Sequence, residues 1–149
     1  MRRVWFFASG LERASASDRN PGQLNMDLRI DIELRGSLLF VTATGSLAYD
    51  AALRLLKQVC DTAADRQVNK ILVNGLALDG KLSTMERYHV GVEVAAHLLQ
   101  RQMNIRLAFV GKPPAMDGFG VHVAQNRGVT TEMLSTQQEA LDWLDKWPG

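Results

Sequence analysis

Leu28, Ile30, Ile32 and Leu34 alternate with Asp27, Arg29, Asp31 and Glu33, the period of two that predicts a strand with one wet face. A wet face places this strand at a sheet edge. The turn Arg35-Gly36-Ser37 leads into Leu38 to Thr44, rich in β-formers and apolar almost throughout, so the two runs predict an antiparallel hairpin whose second strand is more buried. Ser46 is placed to cap a helix. Beyond it, Tyr49, Leu53, Leu56, Cys60 and Ala63 step by three and four, with Arg54, Lys57 and Asp61 outward, which predicts an amphipathic helix covering the sheet. Lys70 to Asn74 is short, β-branched and nearly unbroken in its apolar character, as a central parallel strand is. A crossover of this kind is right-handed.

After the loop Gly75 to Leu82, Ser83-Thr84-Met85-Glu86 has the S-x-x-E form of a capping box, so a second helix begins at Thr84. Its expected apolar stripe is Met85, Tyr88, Val92, Ala95, Leu99 and Met103, with Glu86, Arg87, Glu93, Gln100 and Arg101 on the polar face. Ile105 to Val110 supplies another buried strand. Lys112-Pro113-Pro114 delays the next helix, and Asp117 is the expected cap. That short helix runs through Val121 and Ala124 and stops where Gly128 suits the left-handed position. Val129 to Leu134 is a last strand, and Ser135-x-x-Gln138 a second capping box that opens a helix carrying Leu141, Leu144 and Trp147. The order β-β-α-β-α-β-α-β-α predicts an α/β fold, a mixed, mostly parallel five-stranded sheet with four helices.

With 149 residues, 46% of them apolar and 22% charged, the chain has the balance of one globular domain with one core. We assign residues 26–149 to that domain and residues 1–25 to a flexible N-terminal extension, Met26 standing directly before the first strand. The extension holds Arg2, Arg3 and the apolar run Val4 to Leu11, a signal-like pattern that Glu12 and Arg13 cut short. A formal charge of +1, from 17 basic and 16 acidic residues, gives no electrostatic case for nucleic acid or membrane insertion. The lone Cys60 can build neither an intrachain disulfide nor a thiolate metal site, which fits a reducing cytoplasm.

The order of elements, the strand pair Leu28 to Thr44, the junction Asp79 to Glu86 and the closing segments Val123-Ala124-Gln125-Asn126-Arg127-Gly128 and Gln138-Glu139-Ala140-Leu141-Asp142-Trp143-Leu144 together resemble the STAS superfamily, in particular its stand-alone bacterial group related to anti-sigma-factor antagonists. The resemblance covers residues 27–147. It implies a cytoplasmic regulatory domain that binds a partner protein, in the best-known members a kinase-type anti-sigma factor, with homodimerisation open. In those members a Ser or Thr at the start of the second helix, in the motif D-S-S-G, is phosphorylated and so controls partner binding. This chain reads Asp79-Gly80-Lys81-Leu82-Ser83-Thr84-Met85. The acidic residue and the hydroxyl pair are spaced apart, and the glycine after the pair is missing.

Read without the family, Ser83 is first a helix cap; it is also a candidate phosphorylation site, since a phosphate there would meet the positive helix end, with Lys81 close by. Thr84 is the second candidate, and Asp79, Gly80, Lys81 and Leu82 form the candidate interaction loop. The alternative is a small-ligand domain for an anion, nucleotide or lipid. Strand ends at Ser46, Asn74-Gly75 and Gly111-Lys112 lead toward helix N-termini, so Ser46 and Lys112 are candidate anion contacts. Neither G-x-G-x-x-G nor G-x-x-x-x-G-K-[ST] is present. His89, Glu93 and His97 are spaced as a helical metal set, but four-residue steps drift round the helix and the bland reading is a polar face. Cys60 lies in an apolar stripe and reads as a small core residue. We therefore expect no catalytic residue, no metal and no cofactor. Trp143 and Trp147, one turn apart, read as core packing.

Overall fold

The computed structural model describes residues 3–7 and 28–147. Six strands and four helices follow one another as β1 (Arg3–Phe7), β2 (Leu28–Arg35), β3 (Leu38–Ser46), α1 (Tyr49–Asp65), β4 (Lys70–Asp79), α2 (Thr84–Gln100), β5 (Arg106–Val110), α3 (Phe119–Gln125), β6 (Thr130–Leu134) and α4 (Gln137–Asp145). The sheet order is β1-β2-β3-β4-β5-β6. The pairs β1–β2 and β2–β3 are antiparallel, and β3 to β6 run parallel. The expected five strands and four helices are all present as β2–β6 and α1–α4, with β1 added outside them.

That addition corrects the placement of the first hairpin strand. β2 is not an edge, because Arg3 pairs with Glu33 and Phe7 with Arg29 along its outer side. The wet face of β2 remains, since Arg29, Asp31 and Glu33 are half-buried while Leu28, Ile30 and Ile32 are buried. A one-sided strand is therefore wet because one sheet face is open beside it, not because it lacks a neighbour. The remainder of the expected extension, and Met26 after it, lie outside the described residues.

Sequential neighbours joined by right-handed crossovers put every crossover helix on one side of the sheet. Strand alternation then sorts the core in two. Ile30, Ile32, Leu39, Val41, Ile71, Val73 and Leu107 face α1 and α2, where they meet Leu55, Val59, Val94 and Leu98. Phe40, Leu72, Ala108 and Val110 point the other way and pack under Ala140 and Leu144 of α4. Each fully buried aliphatic side chain of this kind stabilises the fold by about 1.5–3 kcal/mol. Trp143 packs against this second cluster and meets the Trp147 ring edge-on at 6.1 Å.

Three local expectations are corrected. Ser46 ends β3 and is not the N-cap of α1, which is Ala48, whose side chain makes no capping bond. The capping box of α4 is Thr136 with Glu139, one residue later than the Ser135–Gln138 frame. Gly75 to Asp79 is not loop: β4 continues through it, and beyond a register shift between Thr42 and Thr44 the pairs Thr44–Ala77, Gly45–Leu78 and Ser46–Asp79 extend the ladder. The connection to α2 shrinks to Gly80, Lys81, Leu82 and the cap Ser83.

Helix α2 is rotated from its expected orientation. Its buried face is Gly91, Val94, Ala95 and Leu98, while Met85, Tyr88 and Leu99, placed in the expected stripe, are exposed. The cause is α3. A Cβ on Gly91 would lie 2.7 Å from the Gly120 carbonyl oxygen and 2.8 Å from Val123 Cβ, so the absence of a side chain there lets the two helix backbones touch. This contact turns Met85 and Tyr88 to the outside.

Candidate functional site

The start of α2 combines an ordered helix end with exposed chemistry. Ser83 Oγ accepts from the Glu86 amide at 3.1 Å, and Glu86 Oε1 accepts from the Ser83 amide at 2.9 Å. The predicted capping box is therefore complete, and it occupies the Ser83 hydroxyl. Thr84 is exposed, and its Oγ1 accepts from Arg87 Nη2 at 3.3 Å. Arg87 also donates from Nε to the Ser83 carbonyl at 3.4 Å and from Nη1 to Asp117. Its side chain is only 14% exposed, although the sequence pattern puts it on the polar face. A long side chain can bury its stem and bring its charge to a partner in this way.

Asp117 receives that charge. The backbone amide of Phe119, donating at 3.0 Å, lowers its pKa most, and the Arg87 hydrogen bond and charge add to this against the opposing effect of burial. The expected cap is thus partly realised: Gly118, at φ +86°, holds the N-cap position of α3, while Asp117 binds the first helical amide. Around this pair stand apolar groups open to solvent. Met85 is 61% exposed, and Tyr88 and Phe119 are each 37% exposed. Met85 and Tyr88 are neighbours on one helix face by their spacing of three. The Arg87 guanidinium lies 6.0 Å from the Phe119 ring centre, and Arg127 donates to the Tyr88 hydroxyl at 3.1 Å.

The candidate interaction loop divides under this geometry. Gly80 and Lys81 are exposed, and Gly80 takes the left-handed φ of +85° that a glycine allows. Asp79 lies in β4, its carbonyl accepting from the Leu47 amide at 2.9 Å. Leu82 is 7% exposed and belongs to the main core, so it anchors the loop from below. Ser46 and Lys112 are not brought together. Ser46 ends β3 and Lys112 follows β5, on either side of β4, which sets them at least two strand spacings, roughly 10 Å, apart.

His89, Glu93 and His97 are drawn to different partners. The His89 ring stacks at an angle near Tyr88 and Tyr49, Glu93 pairs with Lys57 at 3.5 Å, and His97 Nε2 lies 2.8 Å from Asp61. Among the described residues no group of three or more His, Cys, Asp or Glu is arranged to hold a metal ion. Burial raises the Asp61 carboxyl's pKa, but hydrogen bonds and charge from His97 and Arg101 outweigh it, and the net shift is downward. Beside it, burial chiefly, and the charge of Asp61 in addition, push the Cys60 thiol up to about 12. A buried thiol of that kind is not a nucleophile near neutrality. Iodoacetamide at mildly alkaline pH is expected to leave Cys60 intact in the folded chain and to label it only in urea concentrations that unfold the protein. Intact-mass measurement reads the outcome, and labelling of the native chain would refute the burial.

The sequence points to Ser83, Thr84 and the loop as candidates, but not to Arg87, Asp117 and Phe119 as members of one cluster. Arg87 and Asp117 are thirty positions apart and meet only because α2 and α3 touch at Gly91. The one local hint was an aromatic residue, Phe119, set between Gly118 and Gly120.

No family model matches the chain, and no curated protein sequence matches it. Solved structures do. An anti-sigma factor antagonist from Mycobacterium paratuberculosis shares the fold at a TM-score of 0.55, with 16% identity over 79% of this chain and 94% of that one. A protein of the DUF3478 family with a SpoIIAA-like fold, from Shewanella loihica PV-4, aligns at a TM-score of 0.48 with 19% identity, over 78% of this chain and 93% of that one. The anti-sigma factor antagonist SpoIIAA in its unphosphorylated form gives 0.45 and 15%, over 80% of this chain and 99% of that one. The fold is STAS-like. No helix among the described residues is long and apolar enough to cross a membrane.

Proposed function

We propose that this chain is a non-enzymatic regulatory domain of STAS type, which binds a protein partner through the start of α2 and is switched by phosphorylation there. The observation that carries this reading is the exposed set Met85, Tyr88 and Phe119 around the α2 N-terminus, on a fold shared with an anti-sigma factor antagonist. Aromatic and Met side chains left in solvent beside a charged rim have the composition of a docking patch. An anti-sigma factor of kinase type fits as the partner, in a reducing cytoplasm that keeps Cys60 free.

Between the two hydroxyls, the geometry favours Thr84. The Ser83 hydroxyl is engaged by the capping box, and a phosphate on it would face the Glu86 carboxylate held at its own amide. Thr84 Oγ1 is exposed and already touches Arg87, so a phosphate on it would gain a charge-assisted bond and the favourable helix end. It would also compete with Asp117 for Arg87, linking modification to the α2–α3 junction. Incubation with the kinase of its own cell, followed by phosphate mapping, is expected to place the label on Thr84 and to lose it in Thr84→Val. Label on neither Thr84 nor Ser83 would overturn the switch.

A further inference from the structure

An apolar pocket of about 150 Å³, open to solvent on one side, lies between the sheet and the α1–α3 layer. Facing positions there carry small residues, Ala43 on the sheet and Ala52 and Ala124 on the helices, with Val94 and Leu107 among the walls. Protein interiors pack with few voids larger than a water molecule, so a space of this size is a departure from ordinary packing. It does not suit water. A buried water requires two to four polar partners, and the lining carries only three polar side chains: Arg87, Asp117 and Thr131.

All three are already committed. Thr131 Oγ1 donates to the Leu107 carbonyl at 2.7 Å. Arg87 binds the Ser83 carbonyl, Thr84 and Asp117, and Asp117 accepts from Arg87 and from the Phe119 amide. A ligand that placed a charged or strongly polar end inside the pocket would have to break one of these bonds or bury its own group unpaired, which is unfavourable. From this we infer that the cavity is a binding site for a small uncharged apolar molecule of about the size of one aromatic ring, since a dry cavity of about this volume holds benzene. The site adjoins the partner surface at Arg87 and Asp117, but its argument does not depend on that reading.

The mouth is at the Arg87–Asp117 pair. Asp117 is the only exposed residue in the lining, and beside it Met116 covers the strand ends, its side chain resting where Gly75 and Gly111 have no Cβ. The thioether is a deformable cover. A molecule admitted there would contact both α2 and α3, the two helices whose junction carries the exposed patch.

The test is a methyl-resolved NMR titration of the full chain with benzene, cyclohexane, benzoate and palmitate. Benzene and cyclohexane are expected to shift the Ala43, Ala52, Val94, Leu107 and Ala124 methyls saturably and to raise the thermal midpoint. Benzoate should bind at least about tenfold more weakly, because its carboxylate would be buried without a partner. Ala52→Leu, which fills the space, should abolish the shifts, and the enlarging variant Val94→Ala should keep them and also admit naphthalene. The wild-type titration decides the matter even where a variant does not fold. Absence of shifts with benzene, shifts confined to exposed Met85 and Leu99, or equal binding of benzoate or palmitate would each overturn the assignment.

Discussion

Gly91→Ala is expected to destabilise the protein by about 1–2 kcal/mol, although the same change in an open helix stabilises by roughly 1 kcal/mol. The reversal of sign follows from the new methyl group. It would lie 2.7 Å from the Gly120 carbonyl oxygen and within 2.9 Å of Val123, and the first of these neighbours is backbone that cannot rotate aside. Overpacking of a tight contact costs about 1–3 kcal/mol, which exceeds the propensity gain. Gly91→Val, with its branched side chain, should cost about 3 kcal/mol or more. Urea unfolding reads both, and a raised midpoint for Gly91→Ala would contradict the close α2–α3 approach. Because that approach brings Asp117 to Arg87, the Ala variant should also loosen the ion pair.

Leu82→Ala is the second large effect, expected at about 2–4 kcal/mol. Leu82 immediately precedes the capping residue, and its side chain is buried in the main core, so it ties the helix start to the sheet. Its neighbour Lys81 is exposed, and Lys81→Ala should change stability by no more than about 0.5 kcal/mol. The pair of variants separates anchor from surface within one short connection. A Leu82→Ala midpoint equal to that of Lys81→Ala would place Leu82 in solvent and refute the anchoring role. In the intact protein this anchor holds Ser83, Thr84 and Met85 in a fixed relation to α3.

What could be read in the sequence was local or strictly periodic. The Ser83–Glu86 box involves four consecutive residues and its bonds form as expected. The second box slipped by one because Ser135 with Gln138 and Thr136 with Glu139 are equivalent frames, and only the backbone direction selects between them. Strands β2 to β6 were legible from alternation and from short apolar runs. The orientation of α2 was not, since Met85, Tyr88 and Leu99 on one face and Val94 and Leu98 on another both satisfy helical spacing. Packing at Gly91 settles which face turns inward, and that contact comes from a helix some thirty residues away. The same reason hides the Arg87–Asp117 pair.

The extension of β4 through Gly75 to Asp79 was illegible for a different reason. Its partners Thr44 to Ser46 are reached only past a register shift, and the mixed segment Gly75-Leu76-Ala77-Leu78-Asp79 has no apolar–polar alternation to announce it. This changes the meaning of the candidate loop. Asp79 is held in the sheet by its backbone but stays exposed, and Leu82 is buried in the core, which leaves Asp79, Gly80, Lys81, Ser83 and Thr84 as exposed positions from the end of β4 to the helix start.

The proposed docking surface at the start of α2 rests on the exposed side chains of Met85 and Tyr88. The most direct measurement is calorimetric titration of the purified partner, recovered from the cell's own extract, into the wild type and into Met85→Asp/Tyr88→Asp. Both changed side chains are solvent-exposed, so the fold should be retained, as circular dichroism would verify. Loss of buried apolar and aromatic contact at the centre of an interface is expected to weaken binding by at least about thirtyfold, or roughly 2 kcal/mol. Unchanged affinity in a correctly folded double variant would contradict the assignment of this surface.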